Sequence, residues 1–192
     1  MRLGNGVLTR LLTRFPELDK YDLSSITNVS SGAAPLSIAL ATKFLNRLRA
    51  RGANPVLLQG CGSTETTCPC QIVRPEESVQ KFGSVGALLS NIEARLVVEG
   101  PDGVFRDADE EQEGEMWLKG PTITKVCTSV VFHPSQRLIM ECLQGYLNNP
   151  QANASTFTKD GWFCTGDILR RDEDGYYYIM DRKKEMLKYK VR

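Results

Sequence analysis

The stretch that most restricts the fold runs from Pro55 to Glu65. An apolar segment, Pro55-Val56-Leu57-Leu58, leads into Gln59-Gly60-Cys61-Gly62-Ser63-Thr64-Glu65, which carries two glycines, two hydroxyls and one carboxylate. A short apolar run that stops at glycine reads as a strand buried in a sheet. Upstream, Ile26-Thr27-Asn28-Val29 reads as a second strand. Residues 37–50 then place Ile38, Ala41, Phe44, Leu45 and Leu48 on one helical face, with Lys43, Arg47 and Arg49 on the other, and Gly52 stops the helix. Strand, helix and strand in this order make a βαβ unit, and ligands of open α/β sheets sit beyond the carboxyl ends of the strands. Two stretches fall at that edge: residues 59–65 and the small-residue run Ser30-Ser31-Gly32-Ala33-Ala34-Pro35-Leu36. Glycines admit backbone amides close to an anion, Thr64 can donate to a phosphate oxygen, and Glu65 is a hard oxygen ligand suited to Mg²⁺. On these residues alone, an ordinary polar strand-to-helix turn accounts for the composition equally well.

The rest of the chain supplies packing material and a change of grammar. Val7, Leu8, Leu11, Leu12 and Phe15 have helical spacing over residues 7–15, ahead of Pro16. From about residue 83 short strands and turns take over. Gly83 to Gly86 is a tight loop, 92–98 alternates as a strand, Gly100-Pro101-Asp102-Gly103 is a turn, 107–113 is an acidic surface loop and 115–119 is a further strand. A short helix over 151–157 precedes the turn Asp160-Gly161-Trp162. Asp172-Glu173-Asp174-Gly175 is a hairpin turn into Tyr176-Tyr177-Tyr178-Ile179-Met180, whose aromatics are expected to pack in a sheet. The expected class is α/β: a partial doubly wound layer over 1–82 beside a β-rich, distorted-barrel subdomain over 83–180.

Charge and cysteine content remove several classes of function. Lys and Arg total 24 against 23 Asp and Glu, so no basic field marks nucleic acid as a partner. No run approaches the ~18 apolar residues of a membrane span, and Met1-Arg2-Leu3-Gly4 opens no secretory segment. The expectation is a soluble cytoplasmic protein with free thiols at its six cysteines. His133 is the single histidine, which rules out a Cys₂His₂ finger and leaves a histidine triad resting on that one residue.

Four signals stand in order: Ser31-Gly32-Ala33-Ala34-Pro35-Leu36; Gly60-Cys61-Gly62-Ser63-Thr64-Glu65; Gly161-Trp162-Phe163-Cys164-Thr165-Gly166-Asp167; and Asp181-Arg182-Lys183-Lys184-Glu185, continuing to Lys188-Tyr189-Lys190. Together they resemble the acyl-adenylate-forming enzymes, and the ending is most similar to 4-coumarate-CoA ligases and their acyl-CoA synthetase relatives. Lys81 to Gly86, Gly114-Glu115-Met116-Trp117-Leu118-Lys119-Gly120-Pro121 and Gly145 to Pro150 agree with the same family. The resemblance implies a ligase that uses a carboxylic acid, ATP, Mg²⁺ and coenzyme A. It implies that Gly32, Ala33 and Ala34 flank the adenine, with Gly60, Cys61 and Gly62 in the same nucleotide site. Thr64 would bind the α-phosphate, Glu65 would hold Mg²⁺, Asp167 would take the ribose hydroxyls and Arg182 would reach the ribose. Lys188 would reach the AMP phosphate or the bridging oxygen, with Lys190 beside it in the nucleotide set, and Asp181 would be a hinge opening residues 181–192, the start of a small C-terminal domain. Where the family usually has an aromatic residue this chain has Cys61, which weakens the expected adenine stacking.

Two departures qualify the resemblance. The family's Ser/Thr/Gly-rich phosphate loop and the lysine that promotes adenylation match nothing in these residues, so the chain is expected to be an inactive fragment of a ligase. The alternatives are a non-catalytic AMP-binding or misfolded fragment and the adenylation domain of a peptide synthetase. Residues 126–144 also interrupt the family pattern with 19 residues, 57 nucleotides at three per codon. Val126 is compatible with a splice donor, Leu143-Gln144 with an acceptor and Leu138-Ile139 with a branch point, so a short retained intron is expected, a true surface insertion being the alternative. A peroxisomal address in a longer parent is the alternative to the cytoplasm.

Overall fold

The computed structural model describes residues 2–4, 20–32, 36–124, 126–132, 138–143 and 145–183. The helix expected over 7–15 lies outside these, as do Ala33, Ala34, Lys188 and Lys190. The chain divides into two compact units, one of residues Met1–Ser63, Cys68–Ser90 and Asp172–Ile179, the other of Thr64–Thr67, Asn91–Arg171 and Met180–Arg192.

The first unit contains the βαβ arrangement. Strands β1 (Arg2–Gly4), β2 (Asn28–Gly32) and β3 (Val56–Ser63) pair in parallel, with Ser30 opposite both Arg2 and Leu58. Between β2 and β3 runs α1 (Ile38–Arg49). Its start is set by Ser37, whose Oγ accepts the Leu40 N–H at 3.3 Å, satisfying one of the open amides of the first turn. Its end is closed by two backbone bonds, Gly52 N–H to Arg49 O and Ala53 N–H to Leu48 O, and basic Arg47 and Arg49 lie in the last turn, where the helix dipole favours cations. Ala41, Phe44, Leu45 and Leu48 bury their side chains with Val29, Leu36, Ala53 and Leu57. Burial of each of the larger side chains contributes about 1.5–3 kcal/mol. Ile38, expected on this face, is 58% exposed because it is the first helical residue and projects past the packed stripe.

Both small-residue stretches are more regular than expected. Ser30, Ser31 and Gly32 belong to β2, and Gly60 to Ser63 continue β3, where a loop was expected. The reason is a partner that glycine-rich composition conceals: β4 (Cys68–Ile72) runs antiparallel to β3, pairing Gly60 with Ile72 and Ser63 with Cys68. A Cβ on Gly60 would lie 2.9 Å from the Gln71 carbonyl oxygen, so this crossing admits no side chain. From β4 the sheet continues to β5 (Gly86–Leu88) and then to β12 (Tyr176–Arg182), through Tyr176 opposite Ala87 and Tyr177 opposite Gly86. Tyr176 and Tyr177 are buried, as sheet packing requires. The turn before β12 is held by Lys81, whose Nζ lies 2.9 Å from Asp172 Oδ2 and 2.5 Å from Asp174 Oδ2.

The second unit is an antiparallel sheet in the order β11 (Phe163–Arg171), β8 (Gly114–Lys119), β6 (Glu93–Glu99), β7 (Phe105–Asp107). Met116, Leu118, Ile123 and Leu169 are its fully buried apolar side chains among the described residues. Asp107, expected in an acidic loop, ends β7 and pairs with Arg95 at 2.6 Å. Residues of the expected insertion form β9 (Val126–Phe132) and β10 (Leu138–Leu143), which pair with each other as a separate two-stranded sheet. Helix α2 (Pro150–Thr156) follows, capped by the Asn149 side chain on the Ala152 N–H at 3.0 Å. Asp181 and Arg182, expected as a hinge and the residue after it, are the last residues of β12. No helix among the described residues is long and apolar enough to cross a membrane.

Candidate nucleotide site

The turn Thr64–Thr67 after β3 belongs to the second unit, and its contacts show why. The Thr67 N–H closes it on Thr64 O at 3.1 Å. Residues 122–124 then hold it from the side: Thr124 N–H donates to Glu65 O at 2.6 Å, Thr124 Oγ1 to Thr64 O at 3.1 Å, and Thr67 Oγ1 to Thr122 O at 2.7 Å. Thr66 is buried beneath. Four bonds on one short turn fix the backbone from which the Thr64 hydroxyl and Glu65 carboxylate project.

Glu65 is oriented by a residue that its motif does not contain. The Tyr146 hydroxyl donates to Glu65 Oε1 at 2.6 Å. Asn153 of α2 holds Tyr146 in turn, accepting its backbone N–H through Oδ1 and donating from Nδ2 to its carbonyl at 2.8 Å. The ring stacks in a tilted series, Tyr146 to Phe157 at 6.1 Å and Phe157 to Phe163 at 5.5 Å. Burial, reinforced by the Glu65 carboxylate, pushes the phenol up to about 12, so it remains a donor at neutral pH. A carboxylate has about four lone-pair positions, and the phenol uses one of them. An oriented carboxylate fits Mg²⁺, which keeps several waters and substrate phosphates in its shell. Among the described residues no group of three or more His, Cys, Asp or Glu side chains is gathered for a metal ion.

Asp167 sits on a bulge. Cys164 pairs with Trp117 and Ile168 with Glu115, so the register of β11 against β8 breaks across Thr165, Gly166 and Asp167. Gly166 has φ +74°, a conformation that favours glycine, and the site of its missing Cβ is open. The Thr165 hydroxyl donates to Met116 O at 2.7 Å and accepts the Asp167 N–H at 3.1 Å. Asp167 Oδ1 lies 2.7 Å from Arg182 Nε. Burial raises the Asp167 carboxyl above its ordinary value, and Arg182 opposes that rise. A half-buried carboxylate beside a guanidinium gains from further hydroxyl donors, because they solvate charge that burial has stripped of water.

Gly32, Gly60, Cys61 and Gly62 lie in the first unit. A Cβ on Gly32 would stand 3.5 Å from Gly60 O, which puts the ends of β2 and β3 side by side. Cys61 is half-buried opposite Gln71, its carbonyl accepting the Cys70 thiol at 3.4 Å, and Gly62 is exposed opposite Pro69. Among the described residues Cys61, Cys70 and Cys164 stand outside any disulfide. The structure thus brings Asp167 into contact with Arg182, and Thr64 and Glu65 onto one clamped turn. Sequence reasoning gave no role to Tyr146, Thr124 or Asn153. A tyrosine after Gly145 was visible as part of a family segment, but nothing local marks it as the partner of a residue 81 positions earlier.

Residues 5–126 match the family model of the AMP-binding enzymes. Rice 4-coumarate--CoA ligase-like 6 is 32% identical over 93% of this chain and 26% of its own length, and 4-coumarate--CoA ligase-like 3 of Arabidopsis thaliana is 36% identical over 99% and 30%. The chain therefore spans less than a third of either relative. O-succinylbenzoate Coenzyme A Synthetase from Bacillus subtilis in complex with AMP superimposes with TM-score 0.62 at 26% identity, over 95% of this chain and 31% of that one. The luciferase-like enzyme of the mealworm Zophobas morio gives TM-score 0.68 at 27% identity, over 96% and 37%. The chain has the mixed α/β fold of part of the adenylate-forming enzymes, and it belongs to the family of AMP-binding enzymes.

Proposed function

We propose that this chain supplies the nucleoside side of the adenylate site of an ATP-dependent carboxylate-CoA ligase. In that reaction a carboxylate oxygen attacks the α-phosphorus of ATP. The bond to the bridging oxygen breaks, pyrophosphate leaves with its electrons, and an acyl-AMP remains. The thiol of coenzyme A then attacks the acyl carbon, losing its proton, and AMP departs. Asp167 accepts hydrogen bonds from the two ribose hydroxyls, and Arg182 holds Asp167 and reaches the ribose. Gly32, Ala33, Ala34, Gly60, Cys61 and Gly62 border the adenine. Thr64 donates to the α-phosphate, and Lys188 and Lys190 serve its charge. Glu65, oriented by Tyr146, holds Mg²⁺, which neutralises phosphate charge when bound. Residues 181–192 open a small C-terminal domain about a hinge at Asp181.

The observation that supports this reading most is the bulge that sets Asp167 against Arg182, because a half-buried carboxylate with a cationic partner suits a vicinal diol. The share of each relative that the chain spans, 26% and 30%, favours for the 192-residue chain by itself AMP binding without turnover. Carboxylate-dependent exchange of pyrophosphate into ATP separates the two. Exchange by the purified chain makes it a ligase in its own right, and AMP binding without exchange makes it the nucleoside-binding part of one. The compartment is proposed as the cytoplasm, or the peroxisome by analogy with Peroxisomal OPC-8:0-CoA ligase 1 of Arabidopsis thaliana, 34% identical over 89% of this chain.

A further inference from the structure

Among the buried residues of the described chain Glu115 is the only carboxylate, and its two oxygens have separate duties. Oε1 accepts the Gly166 N–H at 3.0 Å, and Oε2 lies 3.0 Å from Lys183 Nζ. The Lys183 backbone N–H donates to Gly166 O at 2.8 Å. The Gly166 peptide is therefore held at its N–H by Glu115 and at its carbonyl by Lys183, and those two residues are paired with each other. The next residue is Asp167. Its own N–H is fixed by Thr165 Oγ1.

We propose that Glu115 is a positioning residue for the nucleotide, acting through the Gly166 peptide to aim the Asp167 carboxylate at the ribose hydroxyls. A sheet needs no charge at this place. Glu115 is itself buried, as is Trp117 two residues on and on the same face of the strand, and a carboxylate is costly there unless it is bonded on both oxygens. The Gly166 N–H supplies one of those bonds and Lys183 the other, and in return Gly166 keeps φ +74° with its amide satisfied. Glu115 does not touch the nucleotide. Lys183 completes the device, following directly on Arg182, so that the pair with Asp167 and the pair with Glu115 come from adjacent residues of one segment.

The inference rests on the assignment of Asp167 to the ribose, and the test separates the two. Dissociation constants for AMP and for 2′,3′-dideoxy-AMP are measured by calorimetry on the 192-residue chain, on Asp167→Asn as reference, and on Glu115→Leu and Glu115→Gln. The unchanged chain is expected to prefer AMP about tenfold or more, the scale of hydroxyl bonds to a charged acceptor. Asp167→Asn should reduce that preference about tenfold. Glu115→Leu should bring it to about twofold or less while binding of the dideoxy nucleotide is unchanged, and Glu115→Gln, which keeps an acceptor for the Gly166 N–H, should restore most of it. Where Glu115→Leu does not fold, Lys183→Met takes its place, with an expected fall of about threefold. A preference that persists in Glu115→Leu, or in Lys183→Met when it stands in, overturns the proposal. So does an equal loss for both nucleotides, which is the mark of a merely structural residue. If the unchanged chain binds both nucleotides alike, or neither, the Asp167 assignment fails first and takes the proposal with it.

Discussion

Replacing Tyr146 with Phe removes one hydroxyl and leaves the aromatic series with Phe157 and Phe163 in place. What is lost is the 2.6 Å bond to Glu65 Oε1. The phenol is raised from its ordinary 10.0 to about 12 by burial first and by the Glu65 carboxylate second, so only part of that rise belongs to the bond. The residue is 37% exposed, and solvent screens a pair so placed, which brings the expected loss of stability to about 1 kcal/mol. The pH dependence follows from the sign of the shift. The folded phenol titrates above the unfolded one, so the contribution is complete below about pH 10 and fades as pH rises towards 12. Urea unfolding of the unchanged chain and of Tyr146→Phe at pH 7.5, 9 and 11 measures it. The gap should be equal at the two lower values and smaller at pH 11. A gap that is absent at pH 7.5, or that widens at pH 11, refutes the role of this bond in holding Glu65.

Gly60→Ala places a methyl 2.9 Å from the Gln71 carbonyl, backbone that cannot turn aside, and should cost about 1–3 kcal/mol, read as a lower urea midpoint with an unchanged slope. Cys164, pushed up to about 11 by burial and then by the Glu115 charge, should alkylate slowly with iodoacetamide at pH 7.5 and faster as pH rises through 9 to 11; mass spectrometry of the labelled peptide reports the rate, and a Cys164 that reacts fully within minutes at pH 7.5 contradicts its placement. Sequencing the spliced transcript across codons 125 to 145 should show the 57 nucleotides of residues 126–144 removed; their presence in mature message makes the β9–β10 hairpin a true insertion.

The elements legible in the sequence are those with local causes. Helix α1 was readable from the 3.6-residue apolar stripe and Gly52, and its observed span differs from expectation by one residue at each end. Strands β6 and β8 were readable from alternation bounded by turns, and the hairpin at 172–175 from its acidic residues and glycine. What was not legible depends on partners distant in sequence. Gly60 to Ser63 extend β3 only because β4 pairs with them, and Cys68-Pro69-Cys70-Gln71-Ile72 has little strand composition of its own. Asp167 carried a motif, but the bulge that aims it is written in Glu115 and Lys183, 52 residues before and 16 after. A motif names residues whose side chains meet the ligand; the groups that hold them are specified by the fold.

The central claim is that this chain holds the ribose of an adenine nucleotide through Asp167. Calorimetric titration of AMP into the 192-residue chain and into Asp167→Asn tests it most directly. Binding should be saturable and should weaken about tenfold in Asp167→Asn while the urea midpoint stays unchanged. Equal AMP affinity in the two chains would contradict it.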